Sequence, residues 1–272
     1  MMVSLRNLGI RAASALVLAP LAVLAIWAGS LWFLAIILAA IVLLAREWAA
    51  MSAPGRRDLI TGAVAVAIMA ATVTAHTGEM SPALVVLVFG AAAVALYARR
   101  LGLEGVDAAY GVLYLGWPAI VLIWLRDGDS GIGLSWTIMV FVVAWSSDVM
   151  AFLVGSVIGG PRLWPRYSPN KTWSGFVGGL IAGSAAGWLV ASFLPLGLSS
   201  PLWGVALGLA GALATMAGDL WESALKRRFG VKDAGGLIPG HGGLLDRVDG
   251  LMFAAVVIAA GRLGAMMLDG PA

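Results

Sequence analysis

The chain reads as a succession of long apolar runs separated by short polar breaks. No charge occurs between Arg11 and Arg46, a run too long for one membrane helix and broken at Gly29-Ser30. A bilayer core needs about 20 apolar residues per helix, with a range of roughly 17 to 25. The run therefore predicts two spans, about 12–28 and 31–48. Arg6 and Arg11 ahead of an apolar stretch also resemble an export signal, but a second span follows at once, which favours an uncleaved first helix. Further runs predict spans at about 59–76, 82–98, 108–125, 133–157, 174–194, 201–225 and 249–268. The pattern is that of an all-α, polytopic integral membrane protein with about nine transmembrane helices.

The polar breaks test that count. Cytoplasmic loops of membrane proteins carry an excess of Lys and Arg. With the N-terminus cytoplasmic, nine spans put 15 of the 17 basic residues on one side, and only Arg126 and Arg262 on or toward the other. Splitting or merging an early pair of spans would scramble this asymmetry. The chain divides into an N-terminal set of about four spans, 1–100, and a C-terminal region of about five, 101–272, with cytoplasmic loops at 158–173 and 226–248.

Composition agrees. The 272 residues are 61% hydrophobic and 11% charged, whereas soluble domains are about a quarter charged. Cys is absent, which excludes disulfides, thiolate metal sites and a Cys nucleophile. Two His residues, His76 and His241, leave little room for a His-based metal cluster, and nothing points to a nucleic-acid partner. Gly155 and Gly159, then Gly179, Gly183 and Gly187, then Gly204 and Gly208 recur at four-residue spacing, which lets membrane helices approach closely. Trp27, Trp32, Trp48, Trp173 and Trp203 lie near span ends, as interfacial anchors do.

Charge is concentrated in one stretch. Of 31 charged residues, ten fall between Asp219 and Asp249, five acids and five bases. Acids inside a membrane are costly and usually functional; Asp148, Asp219 and Glu222 are such acids. Asp219 and Glu222 share a helical face, and Glu222 also stands four residues before Lys226, an ion-pair spacing. After Lys226-Arg227-Arg228 comes a loop with Gly235, Gly236, Gly240, Gly242 and Gly243, and then Asp246 and Asp249, again one turn apart. Glycines let backbone N–H groups converge on an anion, and Lys and Arg neutralise phosphate oxygens. Mg²⁺ takes hard oxygen ligands, usually one or two carboxylates with waters and phosphates, which suits these acid pairs. Attraction of a basic loop to anionic lipid would explain the bases but not the acids or the glycines.

The run Ser223-x-Leu225-Lys226-Arg227, then Lys232-Asp233-x-Gly235, then Pro239-x-His241-Gly242-Gly243-Leu244-x-Asp246-Arg247-Val248-Asp249 resembles the signature of the phosphatidate cytidylyltransferases, or CDP-diacylglycerol synthases, over about 27 residues. Ser168-Pro169-Asn170-Lys171-Thr172-Trp173-Ser174-Gly175 is similar to the family's Ser-Pro-Lys-Lys-Thr-Trp-Glu-Gly, with Asn170 and Ser174 departing from it. Asp148, Ala151, Phe152 and Gly155 also match a family segment, whereas the first 100 or so residues show only generic hydrophobicity. The resemblance implies a nucleotidyltransferase that uses CTP and phosphatidate to make CDP-diacylglycerol and pyrophosphate for phospholipid synthesis. It implies Mg²⁺, with Asp219 and Asp246 as ligands and Asp249 and Asp148 as further candidates; a second, monovalent cation is left open. Asp219, Asp246, Lys226 and His241 are the expected catalytic residues. Lys171, Ser223, Arg227, Lys232, Arg247, Gly242 and Gly243 are expected to bind substrate. His241 would donate to the leaving pyrophosphate or, alternatively, brace the glycine turn. Membrane lipid, a homodimer, and a bacterial inner membrane with the site facing the cytoplasm complete the expectations.

Rival readings fit less well. A permease would need acids near the bilayer midplane and has no use for the glycine-rich loop. The Asp-Gly-x₂-Ala-Arg pattern of the CDP-alcohol phosphatidyltransferases is absent, as is a Gly-x₄-Gly-Lys-Ser/Thr loop. An inactive scaffold has only Asn170 and Ser174 in its favour.

Overall fold

The computed structural model describes residues 20, 23, 24, 26–78, 80–126, 131–237 and 242–269. Among them eight helices are long and apolar enough to cross a membrane. They are α1 (Ser30–Ser52), α2 (Arg57–His76), α3 (Met80–Arg100), α4 (Gly105–Arg126), α5 (Ile132–Ile158), α6 (Trp173–Phe193), α7 (Leu202–Arg228) and α8 (Leu245–Asp269). They take up eight of the nine predicted spans; most of the first, 12–28, lies outside the described residues. The protein is an all-α polytopic membrane protein, as its apolar runs require.

The predicted loop at 158–173 holds a small antiparallel hairpin, β1 (Arg162–Trp164) and β2 (Ser168–Thr172), paired Arg162 to Thr172 and Trp164 to Ser168. Five residues are too few to show strand alternation against noise. The hairpin fixes the entry to α6: Thr172 is its N-cap, accepting from the Gly175 amide at 3.2 Å, a cap worth about 1 kcal/mol. The Ser174 hydroxyl donates to the Gly159 carbonyl and lies 3.1 Å from Thr172 Oγ1. Helices α5 and α7 have 27 residues each, about 40 Å at 1.5 Å per residue, against a hydrocarbon core of about 30 Å. Their ends therefore stand clear of the core, and α7 ends on Lys226, Arg227 and Arg228.

The chain divides into two compact units. One comprises residues up to Trp124 together with Phe229–Val248; the other comprises Leu125–Arg228 and Asp249 onward. In the first, α1 packs on α2 and α2 on α3, around Ile41, Ile60, Ile68 and Leu87, all nearly inaccessible. In the second, α5, α6 and α7 pack together, and the glycine spacing finds its use. A Cβ built on Gly187 would stand 2.2 Å from the Gly204 carbonyl oxygen, and one on Gly208 2.3 Å from the Gly183 oxygen. Backbones approach this closely only where both faces lack side chains. Gly159 is an exception to the predicted packing set. It has φ +65, nothing near its missing Cβ, and ends α5 with its amide on the Gly155 carbonyl at 3.1 Å. Trp48 departs from its predicted place as an interfacial anchor. It is wholly buried, its indole N–H donates to the Asp107 carbonyl at 3.1 Å, and its ring touches Tyr110, Tyr114 and Phe229. Trp27, Trp32, Trp173 and Trp203 are exposed on the protein surface.

Gly187→Leu is expected to destabilise the fold by at least about 1–3 kcal/mol, the usual range for overpacking, and to lower the unfolding temperature in detergent by several degrees. Gly62→Ala, at a helical glycine with open space around it, should leave the unfolding temperature unchanged or slightly raised.

Candidate active site

In the unit that contains α5 to α7, the charged residues meet around the C-terminal half of α7. Gly218 and Gly250 stand next to Asp219 and Asp249 in the chain. A Cβ on Gly218 would lie 2.5 Å from the Asp249 carbonyl oxygen, and one on Gly250 2.7 Å from Thr215 Cγ2. The two glycines let α7 and α8 come together where one carries Asp219 and the other Asp249. Asp249 lies within electrostatic reach of Asp219, Glu222 and Asp148. Four carboxylates from α5, α7 and α8 thus share one neighbourhood, and like charges so placed repel unless cations or donors answer them.

Several answers are visible. The Lys171 ammonium, delivered by β2, pairs with Asp219 Oδ2. Lys226 Nζ sits 2.6 Å from Glu222 Oε2, one turn along α7, with the Glu222 side chain only 1% exposed. The Gly250 amide donates to Asp249 Oδ1 at 2.8 Å. The i,i+4 reading of Glu222 with Lys226 is therefore realised in this structure. Asp219, which has no base four residues away on its own helix, takes one from the hairpin instead. Ser223 is half-buried on α7, and Arg227 and Asp148 are exposed.

In the other unit lies the glycine-rich loop, Phe229–Leu244, with its residues 238–241 outside the described set. His241 falls in that gap. Asp246 Oδ2 accepts from the Gly243 amide at 2.8 Å and from the Ala234 amide at 3.1 Å. Its carboxylate thus closes the loop on itself. Gly242 has φ +81, and a Cβ there would stand 2.8 Å from Asp246 Oδ2, so a side chain at 242 would be strained by backbone and by space. Lys232 and Arg247 are exposed.

One residue of this site was absent from the sequence reading. Glu47, on α1, is 6% exposed. Its carboxylate accepts from the Leu244 amide at 2.8 Å and the Leu245 amide at 2.7 Å. The first amides of a helix have no intrahelical partner, and the helix dipole favours negative charge there; Glu47 supplies both needs for α8 from a helix far away in sequence. A signal was available. Glu47 is an acid well inside an apolar helix with Leu43 and Met51 four residues to either side, so no ion pair on its own helix accounts for it.

Among the described residues no three His, Asp or Glu side chains are drawn together tightly enough to hold a metal ion by themselves. Mg²⁺ commonly binds through one or two carboxylates, with water and substrate phosphates completing its shell. The all-oxygen donors around Asp249 fit an ion held jointly with substrate.

A polytopic membrane protein with clustered acids and bases at helix ends and a carboxylate-held glycine loop is a membrane enzyme for anionic substrates. The sequence profile described as the cytidylyltransferase family matches residues 9–262, and the chain belongs to that family. It is similar to the phosphatidate cytidylyltransferase of Brucella abortus biovar 1 (strain 9-941), 38% identical over 265 residues, covering 93% of this chain and 92% of that protein. It is also similar to proteins of that name from Mycobacterium leprae (strain TN), 43% identical over 157 residues, 56% of this chain and 48% of that protein, and from Staphylococcus saprophyticus (strain ATCC 15305), 40% identical over 152 residues, 54% of this chain and 56% of that protein.

Gly242→Ala is expected to cost about 1–2 kcal/mol, the usual penalty for a side chain in left-handed backbone, and to speed hydrogen exchange of the Ala234 and Gly243 amides. Gly236→Ala, with open space and ordinary backbone, should leave both amides as protected as in the parent.

Proposed function

We propose that the acids and bases described above carry out CDP-diacylglycerol synthesis by Mg²⁺-assisted in-line transfer on the cytoplasmic face of the membrane. The overall reaction is CTP plus phosphatidate giving CDP-diacylglycerol plus pyrophosphate. Membership of the family and the name shared by the relatives support it. The observation that carries the mechanism is the gathering of Asp148, Asp219, Glu222 and Asp249 beside Lys171 and Lys226.

A phosphate oxygen of phosphatidate forms a bond to the α-phosphorus of CTP, and the bond from that phosphorus to the bridging oxygen breaks as pyrophosphate leaves. The nucleophile is already anionic, so no activated Ser or Cys is needed. What the protein must supply is alignment and neutralisation of charge. Asp219, with Asp249 and Asp148 as further donors in the same unit, would hold Mg²⁺, which neutralises phosphate oxygens when bound; Asp246 as a ligand, and a monovalent cation as companion ion, are proposed on the family resemblance alone. Lys171 stands next to Asp219 and Lys226 next to Glu222, and both would turn from their acids toward phosphate oxygens. Arg227, Lys232 and Arg247, all exposed, would grip the triphosphate and the lipid headgroup, with Ser223, Gly242 and Gly243 lining their way. His241 would donate a proton to the departing pyrophosphate. The cytoplasmic orientation is supported by the basic residues that a nine-span reading collects on one side. The bacterial relatives support an inner-membrane location, and a homodimer is proposed on the resemblance alone.

The test is pyrophosphate release by the detergent-purified protein given CTP, phosphatidate and Mg²⁺, each omitted in turn. Release that needs all three is expected; release that persists without phosphatidate, or none from folded protein, would overturn the reading. Asp219→Asn and Asp246→Asn should each lower turnover by about 100-fold or more, the scale of losing one charge-stabilising group, while the protein still elutes as a folded species.

A further inference from the structure

The loop that joins α7 to α8 is poorly equipped to hold its own shape. Six of its sixteen residues are glycine, and glycine loses more conformational freedom on ordering than any other residue. Besides Asp246, which closes it on itself, two adjacent residues of α1 order it. At the start of the loop, Phe229 meets the ring of Trp48 edge-on, with centroids 5.6 Å apart. At its end, the Leu244 and Leu245 amides bond to Glu47. Between these points Gly235 and Gly243 lie directly against the Glu47 carboxyl group. A Cβ on either would come within 2.8 Å of Glu47 Oε1. Among the described residues, both ends of the loop and its Gly235 thus rest on two neighbouring side chains, one of them a buried carboxylate.

Trp48 is in turn fixed by Asp107, Tyr110 and Tyr114 of α4, and Gly111 leaves room for its indole. The anchor is therefore itself packed against α4. Glu47 also occupies donors that an anion would otherwise use. The amides at a helix N-terminus form a natural phosphate site, but the Leu244 and Leu245 amides are engaged by Glu47 and the Gly243 amide by Asp246. Phosphate recognition by this loop then falls to its basic side chains, whose positions depend on the loop's conformation.

We infer that Glu47 is the positioning residue of the glycine-rich loop, fixing the conformation in which Lys232, Gly242 and Asp246 receive the triphosphate. This rests on the proposed assignment of the loop to CTP. Glu47 does not touch substrate. It acts through the amides it holds, and its removal is felt as a weaker grip on CTP.

The experiment compares Glu47→Gln and Glu47→Ala with the parent and with Lys232→Ala, all in detergent and with Mg²⁺, CTP and phosphatidate. It reads KM for each substrate, kcat, and hydrogen exchange of the peptide spanning 229–245. Gln keeps the size and one acceptor oxygen but sets an NH₂ group against an amide donor; Ala removes both acceptors. KM for CTP should rise about tenfold in Gln and further in Ala, with faster loop exchange and less than a twofold change in KM for phosphatidate. A folded Gln variant with parental KM for CTP would overturn the inference, whether or not its loop exchange changes. Failure of both variants to fold would make Glu47 a folding residue and overturn it too. If Lys232→Ala also leaves KM for CTP unchanged, the loop does not bind CTP, and the failure belongs to the functional assignment rather than to Glu47.

Discussion

Charge removed from water must be answered by something fixed, and this constraint shapes every part of the molecule that bears on chemistry. An Asp at the centre of a membrane helix costs about 2.5–3.5 kcal/mol on insertion scales, and a buried ion without a partner costs several kcal/mol. Here Glu47 is answered by two backbone amides, Glu222 by Lys226, Asp219 by Lys171 and Asp249 by its neighbour's amide. The answers differ in kind. Amides are fixed dipoles that cannot leave, which suits a structural carboxylate such as Glu47. Lysines are mobile cations that can turn to another partner.

Glycine does the complementary work. At Gly187, Gly204 and Gly208 the missing side chains let α6 and α7 touch backbone to backbone, and at Gly218 and Gly250 they let α7 and α8 converge beside Asp219 and Asp249. In the loop, Gly235 and Gly243 allow the main chain to lie on a carboxylate, where a methyl group would collide with it. Close approach without side chains brings acids together in one unit and folds the glycine-rich loop in the other.

Much of this was legible before any coordinates. The apolar runs located the helices because lipid forces every backbone group to be satisfied within its own segment, so span length and hydropathy speak directly. The four-residue glycine spacing announced close helix packing, which the structure places at the α6–α7 crossing, and the spacing of Glu222 and Lys226 announced their ion pair. Other features were not legible. Trp48 sits near a span end, as an anchor would, yet it is core; in a membrane protein both the lipid face and the packed face are apolar, so sequence does not tell them apart. Gly159 shares the packing spacing but terminates a helix, a difference that lies in its φ angle. The hairpin at 162–172 is too short to show a period.

By itself the sequence determined that the chain lives in the membrane, where its helices run, and which acids and bases its C-terminal half carries. These follow from local quantities: hydropathy summed over a span, and residue types at one-turn spacing. Only the tertiary structure decided that Lys171 answers Asp219, that Asp249 shares its surroundings with acids on α5 and α7, and that Glu47 caps a helix that begins 198 residues away. The reason is that such pairings depend on which helical faces meet. Those faces are chosen by small-residue crossings and buried rings acting together, and no single stretch of sequence encodes that choice.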